Sequence, residues 1–214
     1  MTFTLVARCQ QTGHLGVATA SASLAVGARC PYVRAGIAAV TTQNRTDPTL
    51  GPRLLDALAT NTDPDAALAS LMANAAFPEW RQVAVVDKHG RVAAFHGERC
   101  SGTHSEARGD GAISLGNLLA SPEVPAAMMA AFVATGGSLG TRLLAALDGG
   151  LAAGGEIKPL RSAALKIATS DPFPYTDLRV DGAENPLALL RGLWHDWEPE
   201  AEKCRAWAID PYGV

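Results

Sequence analysis

The chain has no excess of positive charge. Its 18 Lys and Arg against 21 Asp and Glu give a net charge of −3, so it lacks the basic footprint of a nucleic-acid binder. No apolar run approaches the roughly 20 residues that cross a bilayer, so no membrane partner is expected. The first residues hold no positive region followed by an apolar stretch, so no secretory signal is expected and cytoplasm is the expected compartment. Four cysteines, Cys9, Cys30, Cys100 and Cys204, form no CxxC pair and are expected to stay reduced. Gly109-Asp110-Gly111 with Gly116 misses the dinucleotide spacing, and no phosphate-binding loop is present, which leaves nucleotide binding without support. His96, Cys100 and His104 are evenly spaced, but a loop holding Gly97 and Gly102 does not impose the local geometry zinc needs. Neither a metal nor an organic cofactor is expected.

What is present suits a globular protein. Hydrophobic residues make up 48% of the 214 positions and charged residues 18%, enough for one large core and too apolar for disorder. No linker, repeat or low-complexity segment interrupts the chain, so residues 1–214 are read as a single domain.

The first strand is read over Thr2–Arg8. A turn with Gly13 returns the chain as Leu15–Ser21, and a third strand runs from Gly36 to Gln43. Two helices follow, from about Leu50 or Gly51 to Ala59 and from Pro64 to about Asn74, the second behind a Thr62 or Asp63 cap. Gln82–Asp87 and Arg91–His96 flank Lys88-His89-Gly90 as the clearest hairpin. A strand at Gly111–Asn117, helices at Pro122–Ala134 and Leu139–Leu151, strands at Ala163–Thr169 and Thr176–Val180, and a last helix over Asn185–Trp197 complete the reading. Blocks of strands alternating with blocks of helices do not suit a doubly wound parallel sheet. They predict an α+β fold: a four-layer αββα sandwich, two sheets face to face with helices on each outer face.

Thr2 carries the chemistry of greatest interest. Its position after Met1 suits removal of the initiator, which would leave a hydroxyl and a primary amine on adjacent carbons at the head of a strand. An α-amine titrating near 7.7–8.0 can take the hydroxyl proton at neutral pH, the pairing that activates an N-terminal threonine nucleophile.

The opening resembles proteasome β-subunits, in which an N-terminal Thr leads a strand and a lysine sits by the nucleophile. Here Arg34 follows 32 residues after Thr2. A closer resemblance covers nearly the whole chain. Leu24-Ala25-Val26-Gly27-Ala28, Thr41-Thr42-Gln43, Gly51-Pro52-Arg53, Arg81-Gln82-Val83, Gly90-Arg91-Val92-Ala93-Ala94-Phe95 and Gly116-Asn117-Leu118-Leu119-Ala120 occur in the order of a bacterial family, domain of unknown function 1028. That resemblance implies an N-terminal-nucleophile hydrolase-like fold. Members usually carry a basic residue after the serine matching Ser21, where this chain has Ala22. If that charge binds substrate elsewhere in the family, the departure implies a different substrate or a lost activity.

Thr2, Arg34, Ser21 and Asn117 are therefore the candidate catalytic residues. Arg34 would place a fixed positive charge near the amine and lower its pKa. Ser21, Gln43 and Asn117, at strand ends, would line a cleft or supply an oxyanion hole. Gln43, Arg81 and Gln82 are the candidate substrate contacts. The expected activity is hydrolysis of a small amide or peptide-like metabolite. The alternative is a non-catalytic ligand-binding or assembly protein that keeps the fold. Trp194, Trp197 and Trp207 are read as core or subunit-contact residues. Ala-rich helices at 125–134 and 143–151 predict a symmetric homo-oligomer, a dimer by preference.

Overall fold

A computed structural model describes residues 1–213. Strands β1 (Thr2–Arg8) and β2 (Leu15–Ser21) form the expected first hairpin. Its turn closes through Cys9 N–H to His14 O at 2.8 Å and Gly13 N–H to Cys9 O at 2.9 Å, with Gly13 at φ 74°. β3 (Pro31–Arg34) and β4 (Ala38–Asn44) precede helices α1 (Leu50–Leu58) and α2 (Pro64–Ala73). Asp63 caps α2, accepting from the Asp65 and Ala66 N–H groups, and Pro64 takes the first turn, where no N–H is needed. β5 (Arg81–Asp87) and β6 (Val92–His96) make the second hairpin. Asp87 tightens its turn by accepting from the His89 and Arg91 backbone at 2.9 and 2.8 Å.

β7 (Ser105–Gly109), β8 (Ala112–Asn117), α3 (Val124–Ala134), α4 (Leu139–Ala152), β9 (Ser162–Ala168), β10 (Thr176–Val180) and α5 (Pro186–Ile209) complete the chain. The strands form two antiparallel sheets, ordered β10-β9-β2-β1-β8-β7 and β3-β4-β5-β6. Two strands, β3 and β7, are additions to the sequence reading. Both lie at sheet edges, where strands run short and polar and lose the alternation that marks a half-buried one. α5 also runs past the expected end at Trp197, through Pro199 to Ile209.

Alternation along the strands sorts the core into three clusters. Phe3 and Leu5 of β1 turn to one side, with Leu165 of β9, to meet Met128, Leu143, Leu147 and Leu190 of α3, α4 and α5. Val40, Val83 and Val85 of the smaller sheet meet Leu50, Leu54 and Leu68 of α1 and α2. Val6, Val17, Ala39, Ala84, Ile113 and Leu115 fill the space between the sheets.

Small residues set how closely the layers approach. A Cβ on Gly140 would lie 2.3 Å from the Trp194 indole, and one on Gly51 would lie 2.2 Å from the Tyr32 ring. Part of the Ala-rich surface of α3 and α4 is used within the chain. Gly149 of α4 approaches Ala127 and Ala131 of α3 so closely that a Cβ would overlap both. Trp194 is buried and its Nε1–H donates to Thr141 Oγ1 at 3.2 Å. No helix among the described residues is long and apolar enough to cross a membrane.

Candidate active site

The layer between the sheets is apolar at one end and polar at the other. Strand alternation that points Val6 and Val17 inward also points Thr2, Thr4, Thr19 and Ser21 inward, beside Gln43, Gln82 and Asn117. All seven are buried. Burial of so many polar groups requires partners, and one backbone carbonyl fixes most of them. Gln82 Nε2 donates to Gly116 O at 2.9 Å. A carbonyl oxygen only accepts, so the Gln82 amide has a single orientation.

Everything around Gln82 follows from that orientation. Its Oε1 accepts from Gln43 Nε2 at 2.7 Å and from Asn117 Nδ2 at 2.9 Å. Gln43 Oε1 then faces the Thr4 hydroxyl at 2.7 Å, and Thr4 lies 2.8 Å from Thr19 Oγ1. The second proton of Gln82 Nε2 goes to His96 Nδ1 at 3.0 Å. His96 is therefore protonated on Nε2, which meets Glu106 at 2.8 Å. The hydrogen bond from His96 holds the Glu106 carboxyl down to about 2, against the opposing effect of burial and with help from Arg108. The Asn117 Nδ2 bond leaves Asn117 Oδ1 buried with no partner.

The head of β1 adjoins this network. Thr2 pairs with Asn117 across the β1–β8 ladder and is 4% exposed beneath Met1. Its hydroxyl contacts the Met1 carbonyl oxygen and lies 3.4 Å from Ser21 Oγ. Ser21 Oγ in turn donates to Met1 O at 2.6 Å and accepts from Ser23 N–H at 3.0 Å. Two hydroxyls thus converge on one carbonyl oxygen.

Glu156 faces the same terminus and is the group the sequence reading missed. It follows two glycines with positive φ, Gly154 and Gly155, and its backbone bridges to Leu119, two residues beyond β8. Its carboxylate accepts from Ala22 N–H at 3.1 Å. Burial pushes the Glu156 carboxyl up to about 7, opposed by the Ala22 bond and the terminal ammonium. Burial also lowers the pKa of the Met1 amine, while Glu156 pulls it back up. Both shifts have one cause, since a dry site penalises either charge. Cys30 and Cys100 stand close enough to act on that amine, and burial raises each thiol to about 11.

The structure brings together Thr2, Ser21, Asn117, Gln43 and Gln82 from the sequence reading. It does not bring in Arg34. β3 runs antiparallel to β4, so Arg34 pairs with Ala38, at the opposite end of that strand from Gln43, and its guanidinium binds Asp56 at 2.8 Å. Arg81 lies at the right end of the sheet, but its guanidinium caps the Ala76 and Arg45 carbonyls. Gln43 and Gln82 are buried and bond to each other.

His96, Cys100 and His104 are drawn together more tightly than their loop suggested, with ligand atoms within 4.8 Å of one another. Backbone bonds from Leu118 and Leu119 to Ser101 and Thr103, each 3.0 Å, pin that loop. A metal here would have to displace a bond already made. The His96 Nδ1 lone pair is taken by Gln82 and its Nε2–H by Glu106, and Cys100 is held as a thiol.

A family model described as a family of unknown function, DUF1028, matches residues 2–190. Among solved structures, the crystal structure of a DUF1028 protein from Silicibacter pomeroyi is similar at a TM-score of 0.86 and 29% identity. That match covers 92% of this chain and 88% of the other. Anbu, the ancestral β-subunit from Yersinia bercovieri, shows a weaker likeness, with a TM-score of 0.43 and 9% identity over 91% of this chain and 93% of its own. No curated protein sequence matches the chain.

Proposed function

The chain belongs to the DUF1028 family of unknown function, and from that premise we propose an amide-bond hydrolase of the N-terminal-nucleophile type, its sheets and helices stacked as an αββα sandwich. The observation that carries this reading is the convergence of the Thr2 and Ser21 hydroxyls on the Met1 carbonyl oxygen. A substrate carbonyl held beside Thr2 Oγ1 after Met1 removal would find the same surroundings.

Thr2 Oγ1 attacks that carbonyl and its proton passes to the Thr2 α-amine. Ser21 Oγ–H holds the oxyanion. The protonated amine then gives its proton to the departing amine, leaving an ester on Thr2. Water, deprotonated by the same α-amine, attacks the ester, and the amine returns that proton to Thr2 Oγ1 as the acid leaves. Burial lowers the pKa of the Met1 amine at this terminus, and the same effect on a freed Thr2 amine would favour its basic form. Asn117 works from the other side. One of its two amide protons goes to Gln82, and it offers the unpartnered Oδ1 to the amine. The substrate class is a small amide or peptide-like metabolite.

Intact-mass analysis of untagged protein comes first, and loss of Met1 is the expected result. Exposure to a β-lactone should then acylate Thr2, and a panel of acyl 4-nitroanilides should be hydrolysed. Thr2→Ala abolishes both, and Ser21→Ala lowers turnover about 100-fold, each with an unchanged circular dichroism spectrum. Quantitative retention of Met1, or lactone labelling elsewhere than Thr2, overturns the mechanism. The non-catalytic alternative is favoured by one observation: with Met1 in place Thr2 is almost wholly covered. A protein that keeps Met1 and shows no turnover is that alternative.

A further inference from the structure

The far end of β1 holds a second polar feature, unconnected with Thr2. Arg8 lies six residues along the strand, about 20 Å from the Thr2 end at roughly 3.3 Å per residue. It lines a hollow of about 390 Å³ together with Arg142, Met129, Phe132 and Val133. The hollow opens between the β1–β2 turn, the start of β8, and the loop that joins α3 to α4.

Two arginines here lack the partners arginines normally have. Among the described residues, neither Arg8 nor Arg142 pairs with a carboxylate. Arg8 Nε is buried and has no acceptor at all, a costly state for a charged donor. Arg142 is held in place by its Nε bond to Phe132 O at 3.3 Å and by the Phe132 ring 4.1 Å beneath its guanidinium. The acid of the lining, Asp110, is occupied by the Gln10 amide. One side of the lining is apolar, with Met129 and Phe132 buried and Val133 68% exposed at the lip, while Gln10, Gln11 and Thr135 make the rest polar.

We propose that this hollow is a binding site for a small monocarboxylate with an apolar body. The carboxylate lies between the Arg8 and Arg142 guanidinium groups, and the hydrocarbon portion lies against Met129, Phe132 and Val133. Guanidinium donors match a carboxylate two by two, and the ligand supplies the carboxylate that neither arginine finds among the described residues. The hydrocarbon would cover the exposed Val133. An amine is excluded by charge, and a bare anion gains nothing from the wall.

Titration calorimetry with hexanoate, phenylacetate, acetate, phenethylamine and inorganic phosphate tests this. Hexanoate and phenylacetate should each bind saturably at one site per chain, with acetate at least tenfold weaker and phenethylamine silent. Arg8→Gln and Arg142→Gln should each weaken hexanoate binding at least tenfold while the far-ultraviolet spectrum is kept. Should Arg8→Gln fail to fold, Arg142→Gln and Arg8→Lys carry the test, the latter retaining charge but losing affinity with the paired donors of the guanidinium. Absence of saturable carboxylate binding, unchanged affinity in the folded variants, or tighter binding of phosphate than of hexanoate overturns the proposal. Thr2→Ala should bind hexanoate as wild type does, which separates this site from the proposed hydrolase.

Discussion

Gln82 of the smaller sheet donates to the Gly116 carbonyl of the larger one at 2.9 Å, and that bond orients the amides of Gln43 and Asn117 and the tautomer of His96. Replacing Gln82 by leucine removes four hydrogen bonds at once and strands three buried groups and the half-buried His96. Each stranded group costs about 1–3 kcal/mol before relaxation, so Gln82→Leu is expected to lose at least about 3 kcal/mol in urea denaturation. Gln43→Leu combined with it should cost less than the sum of the two single losses, because they share a bond. A loss under about 1 kcal/mol for Gln82→Leu would contradict the network.

Glu156 predicts a pH dependence. Its carboxyl is raised from an ordinary 4.5 to about 7, so the folded state binds the proton more tightly than the unfolded one. The resulting stability is complete below about pH 4.5 and is lost as pH rises through 7. Glu156→Gln cannot titrate and keeps an acceptor for Ala22 N–H. Its unfolding free energy should therefore gain on wild type between pH 5 and pH 8, by on the order of 3 kcal/mol at about 1.4 kcal/mol per pKa unit. Parallel stability curves for the two proteins over that range would remove Glu156 from the account.

Two glycine-to-alanine changes in helices should have opposite signs. Gly192 of α5 has open space where a Cβ would go, so Gly192→Ala gains helix propensity, about 0.5–1 kcal/mol. Gly140 of α4 has the Trp194 indole there, and overpacking of this kind costs about 1–3 kcal/mol. Gly140→Ala should also alter the near-ultraviolet spectrum of Trp194. Equal melting temperatures for the two variants would refute the packing described.

Phe77 sits at φ 54° and 67% exposed, a left-handed conformation that costs a bulky residue about 1 kcal/mol or more. Phe77→Asn, which tolerates that region, should raise the melting temperature, and the β-branched Phe77→Val should lower it. Thermal denaturation of the pair decides the matter, and the reverse order would place the strain elsewhere.

Much of this arrangement can be read from the chain. Period-two alternation located the central strands, and the placement of Thr2, Ser21, Gln43, Gln82 and Asn117 at one end of the sheets follows from that alternation and from hairpin turns. The same reading, carried one step further, points Thr4 and Thr19 inward beside them. Arg34 was misplaced because its separation from Thr2 was counted through a loop that contains β3. That short edge strand carries the chain away to the far end of the sheet. Glu156 had no periodic signal to mark it, since it lies in an irregular segment and reaches the site only through its bridge to Leu119. The closeness of His96, Cys100 and His104 depends on backbone bonds from Leu118 and Leu119, which no local pattern announces.

The two-sided layer between the sheets has a mechanical consequence. Contacts among Val6, Val17, Ile113 and Leu115 are non-directional, and would be nearly as favourable if one sheet slid over the other by a pair of residues. The amides at the other end do not tolerate that displacement, because each donor has one acceptor at one position. The oily half drives the sheets together, and the amide half acts as the index pin that stops them at a single alignment and so holds the head of β1 where it is.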